Sequence, residues 1–341
     1  VMGVSPGNDM RYSDKKVEAA RNFANKLWNA CRFRQMQGDT SAHFRALPPE
    51  IAAELSGDER WMLAKLDAAI DSINTAIAEF RFHSAAHEVY DLVWSCFCDW
   101  FIEAEKVPMR AGGGEKERAL AVLDYALYRI LRLLHPFMPF ITEELAHQMG
   151  FLSDGETIMF EPFPEDDGFR NADASDDLNH DKWVGIDGKF ELVRAGRFLK
   201  ASYNLPDGKK VKFFVKAVDA EALAFLEAEK ASALSLLNAE AIEFTLADYD
   251  PAAHGAAPSQ VCSLGTVYLP LADLIDIAAE KAKLEKQKKE LAGWIAGTKA
   301  RLGNEKFLAK APANVVAEAK AQLASMEEKL ARTDELLESL K

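Results

Sequence analysis

The sequence is poor in cysteine and in long apolar runs. Its four cysteines, Cys31, Cys96, Cys98 and Cys262, form no C-x-x-C pair, which excludes a disulfide scaffold and indicates reduced thiols in a cytoplasmic protein. No apolar run approaches the roughly 20 residues that span a bilayer, so no membrane partner is expected. The segment 1–6 lacks the basic and apolar parts of a signal peptide and also lacks an ordinary chain start, which favours a fragment.

Positive charge is also scarce overall, since 54 acidic residues face 41 Lys and Arg and give a net charge of −13. This balance by itself argues against a nucleic-acid partner, because phosphate binding needs cations. The average conceals two basic stretches, 11–34 with seven cations against two acids and 281–310 with nine against three. Two basic stretches on an acidic protein predict two places where a polyanion binds.

Helical spacing of apolar residues predicts an antiparallel helical bundle in the first half. Ser13 and Asp14 offer an N-cap for its first helix. That helix is predicted to turn six side chains to the core: Val17, Ala20, Ala24, Leu27, Trp28 and Cys31. Further helices are predicted over 57–80, 83–106, 115–134 and 142–149. Pro108 and three glycines predict a loop over 107–114.

The pattern changes twice in the second half. Acidic residues and prolines over 153–182 are typical of a linker. Alternation around Phe213, a helix over 220–237 and strands near 242–245 and 266–269 then predict a small α+β domain. From Leu271 onward, apolar residues repeat every three or four positions in two stretches and predict a long antiparallel coiled-coil hairpin that projects from the body. Lys281 and Lys288 occupy heptad positions that are normally apolar, so we expect them to fix the register.

Several segments resemble a known family. Residues 21–30, RNFANKLWNA, resemble the first helix of the anticodon-binding domain of class I aminoacyl-tRNA synthetases. Residues 90–103 and 134–145 are similar to that domain's aromatic helix and closing segment. The segment 304–312, NEKFLAKAP, resembles the tip of the C-terminal coiled coil of the valyl-tRNA synthetase family, which isoleucyl and leucyl relatives do not share.

The resemblance implies a mainly α, tRNA-binding C-terminal fragment of a valine–tRNA ligase. The H-I-G-H and K-M-S-K-S type signatures of the family's catalytic domain do not occur here. No catalytic residue and no metal site are therefore expected in this chain, and no cofactor, whereas the full-length enzyme would use ATP and Mg. The implied domains are a catalytic-domain remnant (1–12), the helical anticodon-binding bundle (13–152), the acidic linker (153–182), the α+β domain (183–270) and the coiled-coil arm (271–341).

The resemblance also implies two contact sites on valine tRNA, the expected partner of a monomer that binds no DNA. The residues expected at the anticodon stem-loop are Arg21, Asn22, Asn25, Lys26, Asn29, Arg32 and Phe33, with Phe44 as an alternative stacking ring. Those expected at the elbow, where the D and T loops meet, are Lys283, Lys286, Lys289, Arg301, Lys306 and Lys310.

Other interpretations stay open at this point. The polar face of the first helix fits a merely solvated surface, and heptads fit a coiled coil that docks a protein. An isoleucyl-type fragment would normally end in a cysteine-rich metal-binding region, which these cysteines do not form. His83 and His87 lie four apart but without a third ligand, and Arg110 with Gly112 to Gly114 fits a flexible loop better than a phosphate cradle.

Overall fold

The structure is a computed structural model that describes residues 12–169, 177–206, 208–255, 257–271, 277–302 and 313–339. These residues are mainly α-helical and divide into two compact units. The first unit comprises Val1–Phe190 and Ala231–Leu236, and the second comprises Glu191–Lys230 and Leu237–Lys341.

The first unit is a helical bundle around a buried central helix. Its elements are α1 (Asp14–Gln35), α2 (Pro49–Ala53), α3 (Gly57–Ala78), α4 (Phe82–Asp91), a π-helical segment (Leu92–Phe101), α5 (Ile102–Ala111), α6 (Gly113–Leu134), α7 (Pro139–Gln148), a 3₁₀ turn (Ile158–Phe160) and the part of α8 (Asp177–Ser202) up to Phe190. Every residue of α6 from Ala121 to Leu131 is buried. α1, α3, α4, α5 and α7 pack on α6, and apolar side chains of the bundle such as Leu27 and Leu66 are fully buried.

Local chemistry explains where several helices begin. Ser13 occupies the N-cap position of α1, as predicted, but its side chain makes no capping hydrogen bond. Ser56 and Glu59 form a reciprocal capping box at α3, in which the Ser56 hydroxyl accepts from the Glu59 amide and the Glu59 carboxylate accepts from the Ser56 amide. Pro139 occupies the first turn of α7, where its missing N–H costs nothing, so the helix begins earlier than Thr142.

The loop predicted over 107–114 is wrong for most of its length. α5 continues through Pro108 to Ala111, and α6 begins at Gly113. Ala104, Glu105 and Met109 are buried on either side of the proline, so tertiary packing holds this segment helical against the local cost of proline. The chain turns at Gly112 and Gly113, whose φ values of 78° and 58° suit glycine.

The second unit contains a four-stranded sheet among its described residues. β1 (Lys212–Ala217), β2 (Ala241–Thr245), β3 (Ser259–Cys262) and β4 (Gly265–Tyr268) lie in the order β2-β1-β4-β3. β1 is parallel to β2, with Val215 opposite Phe244, and antiparallel to β4. The intervening helices are α9 (Ala220–Ala228), α10 (Lys230–Leu237) and α11 (Pro251–His254). The single helix predicted over 220–237 is thus two helices, and β3 was not predicted.

α8 is the largest element that the sequence pattern did not predict. It begins at Asp177, so the end of the range assigned to the linker is helical. Gly196 is one reason why the sequence pattern did not predict α8, because glycine disfavours a helix. The packing of the helix nevertheless requires a glycine at this position. A Cβ at Gly196 would lie 2.5 Å from Leu237 Cδ2 and 3.3 Å from Phe213 Cε1. The glycine therefore lets the helix approach its neighbours closely.

The second unit also contains two long helices, α12 (Ile277–Leu302) and α13 (Ala313–Ser339). They run side by side in opposite directions, since Lys288 pairs with Asp334 and Lys299 with Glu327. Leu284, Leu291 and Ile295 are buried on α12 at intervals of seven and four residues, the spacing of a helix that packs along one stripe.

Candidate nucleic-acid interface

The polar face of α1 is exposed along its length. Arg21, Asn22, Asn25, Asn29 and Arg32 are all exposed, and they recur at intervals that place them on neighbouring turns. The opposite face is buried through four apolar side chains, namely Phe23, Leu27, Ala30 and Cys31. The exposed face therefore presents amide and guanidinium groups, which hydrogen-bond both phosphates and base edges.

The core face predicted for α1 needs correction. Val17 is 54% exposed and Trp28 39% exposed, and Ala20 is exposed too. Phe23 and Ala30 are buried instead. The buried face of α1 is thus rotated from the predicted one. Only the second half of α1 is covered by other helices, and Trp28 lies at the edge of the covered surface.

Lys26 differs from the rest of the predicted face because its ammonium is already engaged. It pairs with the Asp99 carboxylate, donates to the Trp94 carbonyl oxygen at 3.1 Å and lies 3.8 Å from the centroid of the Trp94 ring. These contacts join α1 to the π-helical segment. Arg21, in contrast, pairs with an exposed neighbour in its own helix, Glu18 at 3.5 Å, which is a weak and easily exchanged contact.

The two predicted stacking rings have different surroundings. Phe33 is half-buried, with the Lys106 ammonium 5.5 Å from its ring centroid. Phe44 packs against Phe151 and Tyr128 at centroid distances of 5.0 and 5.1 Å. Phe44 is thus packed among rings of the bundle, and like Phe33 it is half-buried.

Arg34, one of the cations counted in the first basic stretch, is buried. Its guanidinium pairs with Asp124 Oδ2 at 2.6 Å and donates to the carbonyl oxygens of Gly38 and Asp39. The same carboxylate oxygen accepts from the Ser41 amide at 2.7 Å. Burial raises the pKa of Asp124 while its hydrogen bond to Arg34 lowers it. This network fixes the chain that follows α1 and offers no charge to a ligand.

A cavity of about 310 Å³ lies between α1 and α7. Its lining residues are Trp28, Cys31, Arg32, Gln35, Leu145 and Gln148. It borders the exposed polar face directly, since Arg32 belongs to both. No sequence pattern indicated a cavity here, because Trp28 was predicted to face the core and Gln35 and Gln148 were not singled out.

The predicted elbow residues are only partly described. Lys286 and Lys289 are exposed on α12, and Arg301 is exposed near its end. Lys306 and Lys310 lie outside the described residues, as does the side chain of Lys283. Lys288, expected at a buried heptad position, has a side chain that is 49% exposed and paired with Asp334 at 2.7 Å. Lys288 is therefore not buried, and its role in fixing the register stays a prediction, whereas the side chain of Lys281 is not described.

Two segments of the chain match protein families. Residues 59–215 match the family described as "Anticodon-binding domain of tRNA ligase". Residues 276–341 match the family described as "Valyl tRNA synthetase tRNA binding arm". The first match covers most of the helical bundle and reaches into the α+β part, and the second covers α12 and α13.

Relatives that align with nearly the whole of this chain agree with these matches. The chain is 36% identical over 321 residues to a protein named valine–tRNA ligase from Carboxydothermus hydrogenoformans, with 93% of this chain and 34% of that protein aligned. Valine–tRNA ligases of Staphylococcus carnosus and Bacillus subtilis are 31% and 33% identical, with 99% and 93% of this chain and 37% and 34% of those proteins aligned. The chain belongs to the valyl-tRNA synthetase family. It spans about a third of the length of the curated relatives it matches.

The described residues of this family member include no group of three or more His, Cys, Asp or Glu side chains that would hold a metal ion. The rings of His83 and His87 lie 4.4 Å apart, centroid to centroid, and pack on each other. Among the described helices, none is both long and apolar enough to cross a membrane.

Proposed function

We propose that this chain is the tRNA-binding C-terminal region of a valyl-tRNA synthetase and that it contacts valine tRNA at the anticodon stem-loop and at the elbow. The observation that carries this proposal is the pair of family matches, to an anticodon-binding domain and to a tRNA-binding arm, within one chain. The names of the relatives support valine as the amino acid.

The exposed face of α1 supports the anticodon contact. Asn22, Asn25 and Asn29 offer amides that both donate and accept, and Arg21 and Arg32 add guanidinium groups. An unpaired loop presents phosphates together with free base edges, so a mixture of amides and cations suits it better than cations alone. Lys26 would join this contact only by exchanging its pair with Asp99.

The elbow contact is assigned to a coiled-coil hairpin of α12 and α13. The antiparallel run of the helices and the buried stripe of Leu284, Leu291 and Ile295 support a coiled coil. Lys286 and Lys289 are exposed on its first helix. Ammonium groups are mobile point charges, so they would bind the elbow's phosphates without reading bases.

We assign these contacts to the domains inferred from the sequence. These domains are a bundle over 13–152, an α+β domain over 183–270 and an arm over 271–341, with 1–12 and 153–182 as connecting segments. The proposed full-length enzyme is a cytoplasmic monomer that uses ATP and Mg to esterify valine to its tRNA. In that enzyme, this region binds the tRNA. Binding energy remote from the reacting atoms then supports the chemistry elsewhere.

The test is equilibrium binding of the 341-residue chain to valine tRNA transcripts with the natural or an altered anticodon, over a salt series. We expect Arg32→Glu to weaken binding about tenfold and to abolish the preference for the natural anticodon, because the guanidinium that reads a base is removed. Lys286→Glu/Lys289→Glu should weaken binding to all tRNAs alike and reduce the salt slope by roughly 0.7–0.9 for each phosphate that is no longer neutralised.

Arg110→Glu is the matched control, since Arg110 is exposed at the end of α5 and outside both proposed sites. A response to salt that is flat, or equal binding of valine tRNA and an unrelated tRNA, contradicts the proposal. A protein-docking coiled coil would behave in this way. An anticodon-dependent effect of the lysine pair would show that the hairpin is assigned to the wrong part of the RNA.

A further inference from the structure

The segment Leu92–Phe101 is π-helical over ten residues, which is unusual because most π-helices are single turns inside α-helices. The amide of Ile102, the next residue, donates to the Phe97 carbonyl oxygen five residues back, where an α-helix would bond residues four apart. α4 and α5, on either side of the segment, are α-helical. Because the π-helical register is so rarely stable by itself, we expect contacts from elsewhere in the bundle to hold it.

Lys26 of α1 supplies such contacts. Its ammonium pairs with the Asp99 carboxylate, donates to the Trp94 carbonyl oxygen at 3.1 Å and lies 3.8 Å from the centroid of the Trp94 ring. Trp94 and Asp99 are five residues apart. In an α-helix, residues at this spacing point about 140° apart around the axis, whereas the wider π-helical turn brings them to the same side. One ammonium therefore reaches both partners in the π-helical register only.

The same contacts join α1 to the segment through aromatic rings. Phe23 stacks on Tyr90 and Trp94 at centroid distances of 4.9 and 6.4 Å, and Tyr90 stacks on Trp94 at 5.7 Å. The Lys26 side chain is 24% exposed, whereas Asn25 beside it is exposed. The ammonium is thus directed to the neighbouring helix, and the amides of the polar face are directed to solvent.

We propose that Lys26 is a positioning residue. It holds the segment Leu92–Phe101 in the π-helical register and thereby fixes the orientation of the α1 face that carries Asn22, Asn25 and Asn29. The direct RNA contact predicted for Lys26 from its spacing is replaced by this role. The effect on RNA binding rests on the proposed anticodon contact, whereas the effect on the register does not.

The first measurement uses Cys98, inside the segment, as a probe of the register. Burial raises the pKa of the Cys98 thiol to about 12, and the nearby Lys26 ammonium opposes this rise. Loss of that charge alone would therefore slow the alkylation of Cys98 by iodoacetamide. If Lys26 holds the register, Lys26→Met should instead speed the alkylation about tenfold, because the segment opens more often. Peptide mass spectrometry of the full chain measures the rate.

Lys65→Met is the matched control. Lys65 of α3 also joins a carboxylate and a tryptophan, since it pairs with Asp187 at 3.2 Å and lies 5.7 Å from the Trp61 ring centroid. Neither of these partners belongs to the π-helical segment, so the variant should leave the alkylation of Cys98 unchanged. Cys262, which lies in the second unit, is the internal reference.

Two further variants keep the register test decisive. Lys26→Arg retains a cation with several donors and should restore slow alkylation of Cys98. Asp99→Asn removes the charge of a half-exposed partner, so it should fold normally and still speed the alkylation, though less than Lys26→Met. It replaces Lys26→Met as the test if that variant does not fold.

The second measurement separates positioning from direct RNA contact. The full chain is titrated with valine tRNA transcript over a salt series. Lys26→Met should weaken binding about tenfold and leave the salt slope unchanged, whereas loss of a phosphate contact would lower the slope by roughly 0.7–0.9. Asp99→Asn should weaken binding as well. If Lys26 contacted RNA directly, Asp99→Asn would strengthen binding, because it frees the ammonium and removes a negative charge.

The possible failures can be told apart. Unchanged or slower alkylation of Cys98 in Lys26→Met overturns the register role. A lower salt slope for Lys26→Met, or tighter binding by Asp99→Asn, overturns the positioning role and makes Lys26 an RNA contact, with the proposed function intact. If the unchanged chain does not bind the tRNA, the proposed function itself fails and with it the effect on RNA binding, and the alkylation rates still decide the register.

Discussion

The helical bundle and the α12–α13 pair place their opposite charges in different surroundings. In the bundle, Arg34 and Asp124 form an ion pair whose side chains are 2% and 0% exposed. Lys189 and Asp58 form another, with side chains 0% and 10% exposed, and Ser232 hydrogen-bonds to both. Charges so enclosed must keep their partners, since a lone buried charge is very costly.

In the α12–α13 pair the charges stay at the surface. Lys288 and Asp334 are 49% and 43% exposed, and Lys299 and Glu327 are 58% and 46% exposed. Solvent and salt weaken such pairs, and their lysines can exchange partners at little cost.

Under the proposed function, the difference predicts two ways of binding one polyanion. Buried pairs fix the bundle's shape, so the amides of α1 keep the geometry that the proposed contact with bases requires. The helix pair has a narrow buried stripe and mobile surface charges, which suit contact with phosphates of any sequence. Substitutions in both regions can test whether the buried charges of the bundle and the surface charges of the helix pair really differ in this way.

The largest effect is expected from breaking the buried pair of Arg34 and Asp124. Asp124→Ala should lower the free energy of unfolding by about 3–5 kcal/mol, because Arg34 is left charged and unpaired inside the bundle. Urea denaturation with circular dichroism measures the loss. Asp334→Ala, which removes a surface carboxylate of the helix pair, is the control and should cost at most about 1 kcal/mol. Equal losses of unfolding free energy in the two variants would show that the buried and the surface ion pairs do not differ in their contribution to stability.

A second buried acid should make the bundle sensitive to pH. Glu105 is 1% exposed, and its Oε2 makes no hydrogen bond with any described residue. Burial is the main cause that raises the pKa of Glu105 well above the ordinary value, and the nearby Glu59 and Asp58 carboxylates raise it further. Arg118 and Lys189 act in the opposite direction but do not outweigh these effects. The folded protein thus holds this proton to higher pH than the unfolded chain. Stability from this group is full below the ordinary glutamate pKa of about 4.3 and falls as pH rises towards the folded pKa.

Glu105→Gln should remove this fall. The difference in unfolding free energy between variant and unchanged protein should grow with pH, by up to about 1.4 kcal/mol per pH unit, between about pH 4.3 and the folded pKa. Denaturation at several pH values measures it. Glu103→Gln, on the same helix but with a half-exposed carboxylate paired to Lys106, is the control. A difference that stays constant with pH would show that Glu105 is not protonated in the fold.

The smallest effect is expected in the helix pair. Lys288→Ala should change the free energy of unfolding by about 0–1 kcal/mol, because its pair with Asp334 is exposed, and salt should mask the change. Thermal melts at low and high salt check this. A loss above about 2 kcal/mol would mean that Lys288 fixes the register after all, as its heptad position first suggested.

The sequence predicted most helices of the bundle, because long amphipathic patterns reflect burial on one side. It failed where local and tertiary preferences differ. Pro108 suggested a loop, but buried neighbours keep α5 helical. Gly196 weakened the pattern of α8, yet the space beside Leu237 and Phe213 requires a glycine there.

The candidate interface was predicted as a set of polar residues, and the structure separates them by what they contact. The exposed asparagines and arginines of α1 lie on one face, as their spacing predicts. Lys26 is engaged by Asp99 and Trp94, which are more than sixty residues away in the chain. Trp28 was predicted to be buried but lines an open cavity. Periodicity tells which side chains share a face, but not how far a neighbouring helix covers it.

By itself, the sequence determined the helical character of the chain, the amide-rich face of α1 and the heptad stripe of the terminal helices, since these depend on the spacing of residues near each other in the chain. Only the tertiary structure decided which charges are buried, where Trp28 lies and that an open cavity lies between α1 and α7. Burial, pairing and cavities arise between residues that are distant in sequence, as Arg34 and Asp124 are. Their energies depend on how completely water is excluded, which no local pattern encodes.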